Sequence, residues 1–156
     1  MPKTTLYSTR EVNKEDIIDL LVLGKTFTKE AGHSRLGWDS TKMYAFYDNA
    51  INSKDFFFHC LVADNEVVGF LIGFLAPAYF SHVLQATEIA WYVVPEHRGK
   101  GEALKMLELF EEWSKKHGAV CVNMGSVEII HAEKIAKVYN KRGYTLNENT
   151  FTKELT

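Results

Sequence analysis

Between Val94 and Leu107 the sequence reads VPEHRGKGEALKML. It leaves an apolar run, crosses a proline, gathers Arg98, Gly99, Lys100 and Gly101, and then becomes helical. The first N–H groups of a helix have no internal partner, and the helix dipole adds partial positive charge there. Glycines let backbone amides approach phosphate oxygens without a Cβ in the way, and the cations add attraction. Phosphate binding is therefore one chemistry open to this stretch. The other reading is an ordinary strand-to-helix turn with its cations in solvent. A P-loop would need GxxxxGK[ST], a spacing the chain lacks. A dinucleotide fingerprint would need GxGxxG, and Gly99-Lys-Gly101-Glu-Ala-Leu104 has no third glycine.

The elements that must hold this loop follow from hydrophobic period and punctuation. Thr4 to Ser8 reads as a short strand. Asn13 offers an N-cap, with Asp16 in the first turn, before Ile17, Ile18, Leu20, Leu21 and Phe27 at helical spacing. Ala31 to Trp38 is a loop containing Gly32 and Gly37. Asp39 or Ser40 caps a second helix that carries Met43, Tyr44, Phe46, Tyr47 and Ile51. Phe56 to Ala63 and Val67 to Leu75 flank the turn Asp64-Asn65-Glu66, which is a hairpin pattern. Ala86 to Val94 is a third strand, stopped by Pro95.

Gly101 to His117 is helical, with Ala103, Met106, Leu107, Phe110 and Trp113 on one stripe and Gly118 as its C-terminal stop. Ala119 to Met124 reads as a strand and Ile130 to Arg142 as a helix closed by Gly143. Tyr144 to Leu155 reads as a last hairpin about Asn147-Glu148-Asn149. The order β-α-α-β-β-β-α-β-α-β-β, with a mixed, mostly antiparallel sheet flanked by about four helices, is an α/β (α+β) architecture. No linker, repeat or low-complexity segment divides residues 1–156, so one domain is expected.

The totals narrow the function classes. A chain of 156 residues with 46% apolar and 13% aromatic content can bury a real core. Eighteen Lys and Arg against 20 Asp and Glu give a net charge of −2, which disfavours a dedicated nucleic-acid binder. Cys60 and Cys121 lie in the apolar runs FFFHCLVA and AVCVNM and read as buried free thiols. No Cys/His cluster has metal-ligand spacing, so no metal is expected. MPKTTLYSTR is not an apolar leader, and no apolar run approaches the ~20 residues of a membrane helix. A soluble, cytoplasmic protein is expected.

The motifs also carry a resemblance. Arg98-x-x-Gly101-x-Ala103 is similar to the [RQ]-x-x-G-x-[GA] loop of the GNAT superfamily, the acetyl-CoA-dependent N-acetyltransferases. Val93-Val94-Pro95-Glu96-His97 resembles the strand end that precedes that loop, and Tyr139-Asn-Lys141-Arg-Gly143-Tyr144 resembles the family's Y-x-[KR]-x-G-[FY] pattern. The element order resembles the GNAT fold along nearly the whole chain. Gly32-His33-Ser34-Arg35-Leu36 resembles a segment of small GNAT proteins of tailed phages. The resemblance implies acetyl-CoA as donor, with its pyrophosphate held by Arg98, Gly99, Lys100, Gly101, Glu102, Ala103 and Leu104. It assigns the pantetheine arm and thioester carbonyl to the backbone of Trp91, Tyr92 and Val93. The following strand is expected to splay away, with Asn123 pointing into the cleft.

Acetyl transfer needs a neutral amine, a stabilised oxyanion and a protonated or solvated thiolate. An alkylamine of pKa ~10.4 is only about one part in a few thousand neutral at pH 7, so a base helps. In Glu88-Ile-Ala-Trp-Tyr-Val-Val94, strand alternation puts Glu88, Ala90 and Tyr92 on one face and Ile89, Trp91 and Val93 on the other. Glu88 is the candidate base, acting through water as the resemblance implies; the plain alternative is a strand-edge glutamate. Tyr139 shares a stripe with Ala132, Ile135 and Ala136 and could simply be core. The resemblance makes it the acid that protonates the leaving thiolate, which a phenol of pKa ~10 can do for a thiol of pKa ~8.5 in a dry site.

Two positions depart from the family pattern. Ala132 stands where relatives carry Asn, beside His131, and Glu102 occupies a loop position that is commonly apolar. These favour the alternative of a non-catalytic coenzyme A-binding module. The acceptor amine could belong to a small molecule, a protein or an aminoacyl-tRNA, the last disfavoured by charge. Its pocket is expected from Ala31 to Trp38 and from Pro77 to Gln85, including His33 and His82. The same aromatics could form a homodimer interface.

Overall fold

Among the described residues, runs of β-branched and aromatic residues, buried on both faces in the central strands, build one five-stranded sheet whose strands lie side by side in chain order. The strands are β1 (Tyr7–Glu11), β2 (Phe56–Ala63), β3 (Glu66–Pro77), β4 (Leu84–Val93) and β5 (Val122–Asn123). The helices are α1 (Ile17–Glu30), α2 (Ser40–Ile51), α3 (Glu102–Lys116) and α4 (Ala132–Lys141). The computed structural model describes residues 2–127 and 129–156, which fall into two units, Met1–Gly125 and Ser126–Thr156.

The first three pairings are antiparallel and β4 with β5 is parallel, as the mixed-sheet expectation required. Asp64 and Asn65 both take positive φ, 47° and 71°, and close β2 onto β3 with the two-residue geometry that matches strand twist. Alternate residues of the sheet feed two cores. Phe58, Cys60, Val62, Phe70, Ile72 and Tyr92 pack with Ile17 and Leu20 of α1 and Tyr47 of α2. Phe57, Leu61, Leu71, Ala86 and Val93 pack with Met106 and Phe110 of α3. Burying a Phe or Leu side chain stabilises by about 1.5–3 kcal/mol, so both faces contribute to holding the sheet in place.

One glycine sets how closely α3 approaches. A Cβ on Gly73 would lie 2.5 Å from Cζ of Phe110 and 3.0 Å from the carbonyl oxygen of Thr87. Phe110 is fully buried and has no room to withdraw. Gly73→Ala should therefore destabilise the fold by about 1–3 kcal/mol, the usual cost of overpacking. Denaturant unfolding measures it, and a loss below about 0.5 kcal/mol would contradict the close packing.

Several sequence expectations need correction. The first strand is Tyr7–Glu11, not Thr4 to Ser8. The strand expected over Ala119 to Met124 shrinks to Val122–Asn123, and Cys121, expected to be buried, is exposed while Cys60 is buried. Cys121 precedes a two-residue edge strand, where nothing covers it as β2 and its neighbours cover Cys60. The closing hairpin about Asn147-Glu148-Asn149 is not formed, since residues 144–156 contain no strand. Leu146, Phe151 and Leu155 are exposed there. An isolated two-stranded hairpin with so few apolar residues has too little to bury.

Candidate active site

The centre of the site is an irregularity in β4. Ile72 pairs with Ala90 but Gly73 pairs with Glu88, leaving Ile89 as an extra residue on β4. Such a bulge bends its strand and reverses the phase of the side chains. Ala86 belongs to the α3 core, whereas Ala90 and Tyr92 pack on the α1 and α2 side. The expectation that Glu88, Ala90 and Tyr92 share a face is therefore overturned. Glu88 pairs with Gly73 and starts out on the α3 side, across the bulge from Ala90.

The ladder to β5 ends just ahead of this bulge. Ala86 pairs with Val122 and Thr87 with Asn123, and no pairing continues past them. At that point the Gly125 N–H donates to Oε2 of Glu88 at 2.7 Å, so the carboxylate stands in the fork of the two strands. Glu88 is partly buried by surface area, yet the packing about its carboxylate is dense. Desolvation raises its pKa from 4.5 to about 7, against the opposing pull of the Gly125 hydrogen bond. A carboxyl poised near neutrality suits proton transfer at physiological pH.

Asn123 lies just before the fork. Its Nδ2 donates to Oε1 of Gln85 at 3.0 Å and Oγ1 of Thr87 at 3.3 Å. In this conformation its amide closes the paired part of the two strands.

Beyond β4 the chain turns through a short 3-10 segment, Pro95–His97, into the glycine loop. Gly99 and Gly101 adopt φ of 73° and 84°, values that disfavour any residue with a Cβ. No heavy atom lies within 4 Å of where a Cβ would stand on either, so the loop faces open space. Gly101 is the N-cap of α3 and supplies no side-chain cap, which leaves the opening amides of the helix to other acceptors. Oε1 of Glu102 accepts from Nζ of Lys105 at 3.0 Å, so its charge is directed along the helix and balanced there. Lys100 is exposed in the loop, and Ala103 and Leu104 form the first turn of α3.

Arg98, nominated as a phosphate ligand, turns inward. Its Nε donates to the Val93 carbonyl at 2.7 Å, and its Nη2 donates to Oε1 of Glu30 at 2.8 Å. The guanidinium carbon lies 5.4 Å from the centre of the Tyr92 ring. The Tyr92 hydroxyl donates to the other Glu30 oxygen at 2.8 Å, and its ring stacks on Phe27 of α1 at 5.1 Å. Burial, then the hydrogen bond to Glu30, pushes the Tyr92 phenol up to about 12. Glu30 was missed in the sequence, where it reads as one more charged residue at a helix end.

In the second unit, Tyr139 lies in α4, buried, with its ring 5.4 Å from that of Tyr144. Its carbonyl accepts from the N–H groups of Arg142 and Tyr144, which shapes the turn at Gly143. His131 takes a positive φ of 48° as the N-cap of α4, ahead of Ala132.

An open groove of about 500 Å³ lies elsewhere in the first unit, between the start of β2 and the last turns of α3. His59, Lys54, Trp113 and Lys116 line it, and none of the nominated residues does. Among the described residues no group of three or more His, Cys, Asp or Glu is placed to hold a metal ion. No described helix is long and apolar enough to cross a membrane. Tyr79 and Phe80, in the connection from β3 to β4, stand 99% and 78% exposed.

The bulged β4, its fork with β5 and the glycine loop that opens α3 all lie in the part of the chain that matches a known family. Residues 23–144 match the acetyltransferase (GNAT) family, and the chain belongs to that family. Among curated proteins none matches it at a significant level. Solved structures share the fold at low sequence identity. A predicted acetyltransferase with acetyl-CoA from Clostridium acetobutylicum is 16% identical with a TM-score of 0.76, covering 96% of this chain and 97% of that one. AAC(6')-Iy, in complex with the bisubstrate analog CoA-S-monomethyl-acetylneamine, is 15% identical with a TM-score of 0.77 and coverage of 97% and 99%. A ribosomal-protein-alanine N-acetyltransferase from Brucella melitensis is 14% identical with a TM-score of 0.71 and coverage of 96% and 99%.

Proposed function

We propose that the protein is an acetyl-CoA-dependent N-acetyltransferase that moves acetyl to an amine of a small molecule or protein by direct attack. The observation that carries this reading is the fork at Glu88. A carboxyl with a pKa of about 7 sits where β4 and β5 part, on the strand that leads to an uncapped helix opening at Gly101. Family membership supports the donor, and the acetyl-CoA and CoA-analog complexes of the structural relatives add to it.

In this reading the amides from Gly99 to Leu104 hold the pyrophosphate, with Lys100 adding charge from the loop. The β4 backbone from Trp91 to Val93 takes the pantetheine arm as an added strand, and one N–H polarises the thioester carbonyl. Glu88 accepts the proton of the ammonium, through water, and the freed nitrogen attacks the carbonyl carbon. The N–C bond forms, the C–S bond breaks, Tyr139 gives its proton to the departing sulfur, and the second proton shed by the nitrogen as it becomes the amide passes through water to restore the phenol. The two units act as one domain, a view supported by a family match that runs across their boundary at Gly125.

The test is incubation with acetyl-CoA and a broad panel of amines while free thiol is monitored. Thiol release that depends on an amine is the expected result. Measurable acetyl-CoA binding without turnover on any amine would favour a coenzyme A-binding module instead.

A further inference from the structure

We propose that Tyr7 is a positioning residue for the donor site: through His97 it holds the turn that carries the glycine loop, and so sets the stance in which the loop amides meet coenzyme A. The proposal rests on the acetyl-CoA reading above, while the contacts behind it stand without that reading. Tyr7 opens β1 at the edge of the sheet, and His97 lies 90 positions further on. The Tyr7 hydroxyl and Nδ1 of His97 share a hydrogen bond of 2.8 Å. Their rings meet edge to face, with 5.6 Å between centres and 77° between planes. His97 is the last residue of the 3-10 turn Pro95–His97, directly ahead of Arg98.

Both partners are anchored. Tyr7 pairs with Ala63 of β2. One residue earlier, the Leu6 N–H donates to Oδ1 of Asp64 at 3.0 Å, and the Asp64 N–H donates to the Leu6 carbonyl at 2.9 Å. Tyr7 packs on the α3-side core that contains Val93 and Met106, and Ala103 of the first turn of α3 packs on the same core. The His97 N–H donates to the Val94 carbonyl at 3.0 Å, and Arg98 bonds to the Val93 carbonyl and to Glu30 of α1. Two neighbouring residues thus fasten the turn to different elements, His97 to β1 and Arg98 to α1. Gly99 and Gly101 follow with open space about them and no side chain to add a further tie. A bond lost equally from the free and the bound protein leaves affinity unchanged. Cutting this one lets the free turn visit other stances, which the glycines permit. Only a fraction of molecules is then competent to bind, and the apparent Kd rises in proportion. The worth of a single hydrogen bond limits that rise to about tenfold.

Tyr7→Phe keeps the ring against His97 and the core and deletes only the hydroxyl. Calorimetry under conditions where both proteins are fully folded should show its Kd for coenzyme A raised about two- to tenfold. Turnover should show the same rise in KM for acetyl-CoA, with kcat changed less than about twofold. His97→Asn can place a hydrogen-bonding atom where Nδ1 stands and should bind nearly as the wild type does. His97→Leu cannot, and should match Tyr7→Phe. Adding Tyr7→Phe to His97→Leu should cause no further loss, because the bond is already gone. An unchanged Kd in Tyr7→Phe, or losses that multiply in the double variant, would overturn the positioning role and leave the donor reading intact. A wild type that binds no coenzyme A would overturn the donor reading, and this role with it.

Discussion

Replacing Glu88 by glutamine should lower kcat about a hundredfold or more while making the folded protein more stable above pH 7. The glutamine oxygen can still accept the Gly125 N–H, so the fork between β4 and β5 keeps its hydrogen bond. On the proposed mechanism what is lost is the group that takes a proton, and removal of a general base typically costs about 10²–10⁴ in rate. In the wild type kcat/KM should rise with pH through about 7 as the carboxyl ionises, and Glu88→Gln should lack that limb.

Stability should move the other way. The folded-state pKa of Glu88 is raised from 4.5 to about 7 by desolvation. Below 4.5 the group is protonated in both folded and unfolded chains and has no effect. As pH rises through 7 the folded protein must carry a desolvated charge, at a cost of up to about 3 kcal/mol. Glutamine removes that cost, so its stability advantage over wild type should grow between pH 4.5 and 8. Denaturant melts across that range measure it. A difference that stays flat with pH would show that the carboxylate is well solvated, and would remove the argument for its tuning.

Tyr139→Phe should reduce kcat by about ten- to a thousandfold with coenzyme A affinity changed less than about twofold. The substitution deletes one hydroxyl and keeps the ring against Tyr144. The turn at Gly143 is built on the Tyr139 carbonyl, which phenylalanine retains. Folding should therefore be preserved, and the effect should fall on protonation of the leaving thiolate. Thiol esters with better leaving groups should be less sensitive to the change. Equal kcat for both forms, with any amine that is turned over, would leave Tyr139 as a core residue.

Local rules set much of this protein. The glycines at 99 and 101 marked a loop before a helix, Asp39 or Ser40 marked the start of α2, where Asp39 accepts from Lys42 N, and Asp64-Asn65-Glu66 marked the hairpin. Each depends on a few neighbouring residues, and the chain carries that information along its length. The family motif from Arg98 to Ala103 was readable for the same reason.

The site's chemistry was decided elsewhere. A one-residue bulge at Ile89 has no fixed signature within β4, because it is a mismatch in count between two strands. Its nearest trace is Gly73 in the opposite strand, a residue whose missing side chain admits Phe110. That bulge moved Glu88 out of phase with Tyr92, and the packing about its carboxylate, beside Gly125 where β4 and β5 part, desolvates it. Glu30 and Arg98 are 68 positions apart, and only packing of α1 against β4 brings opposite charges together. Sequence period fixes which residues turn inward; which inward groups meet, and how dry they become, depends on register and packing between distant segments.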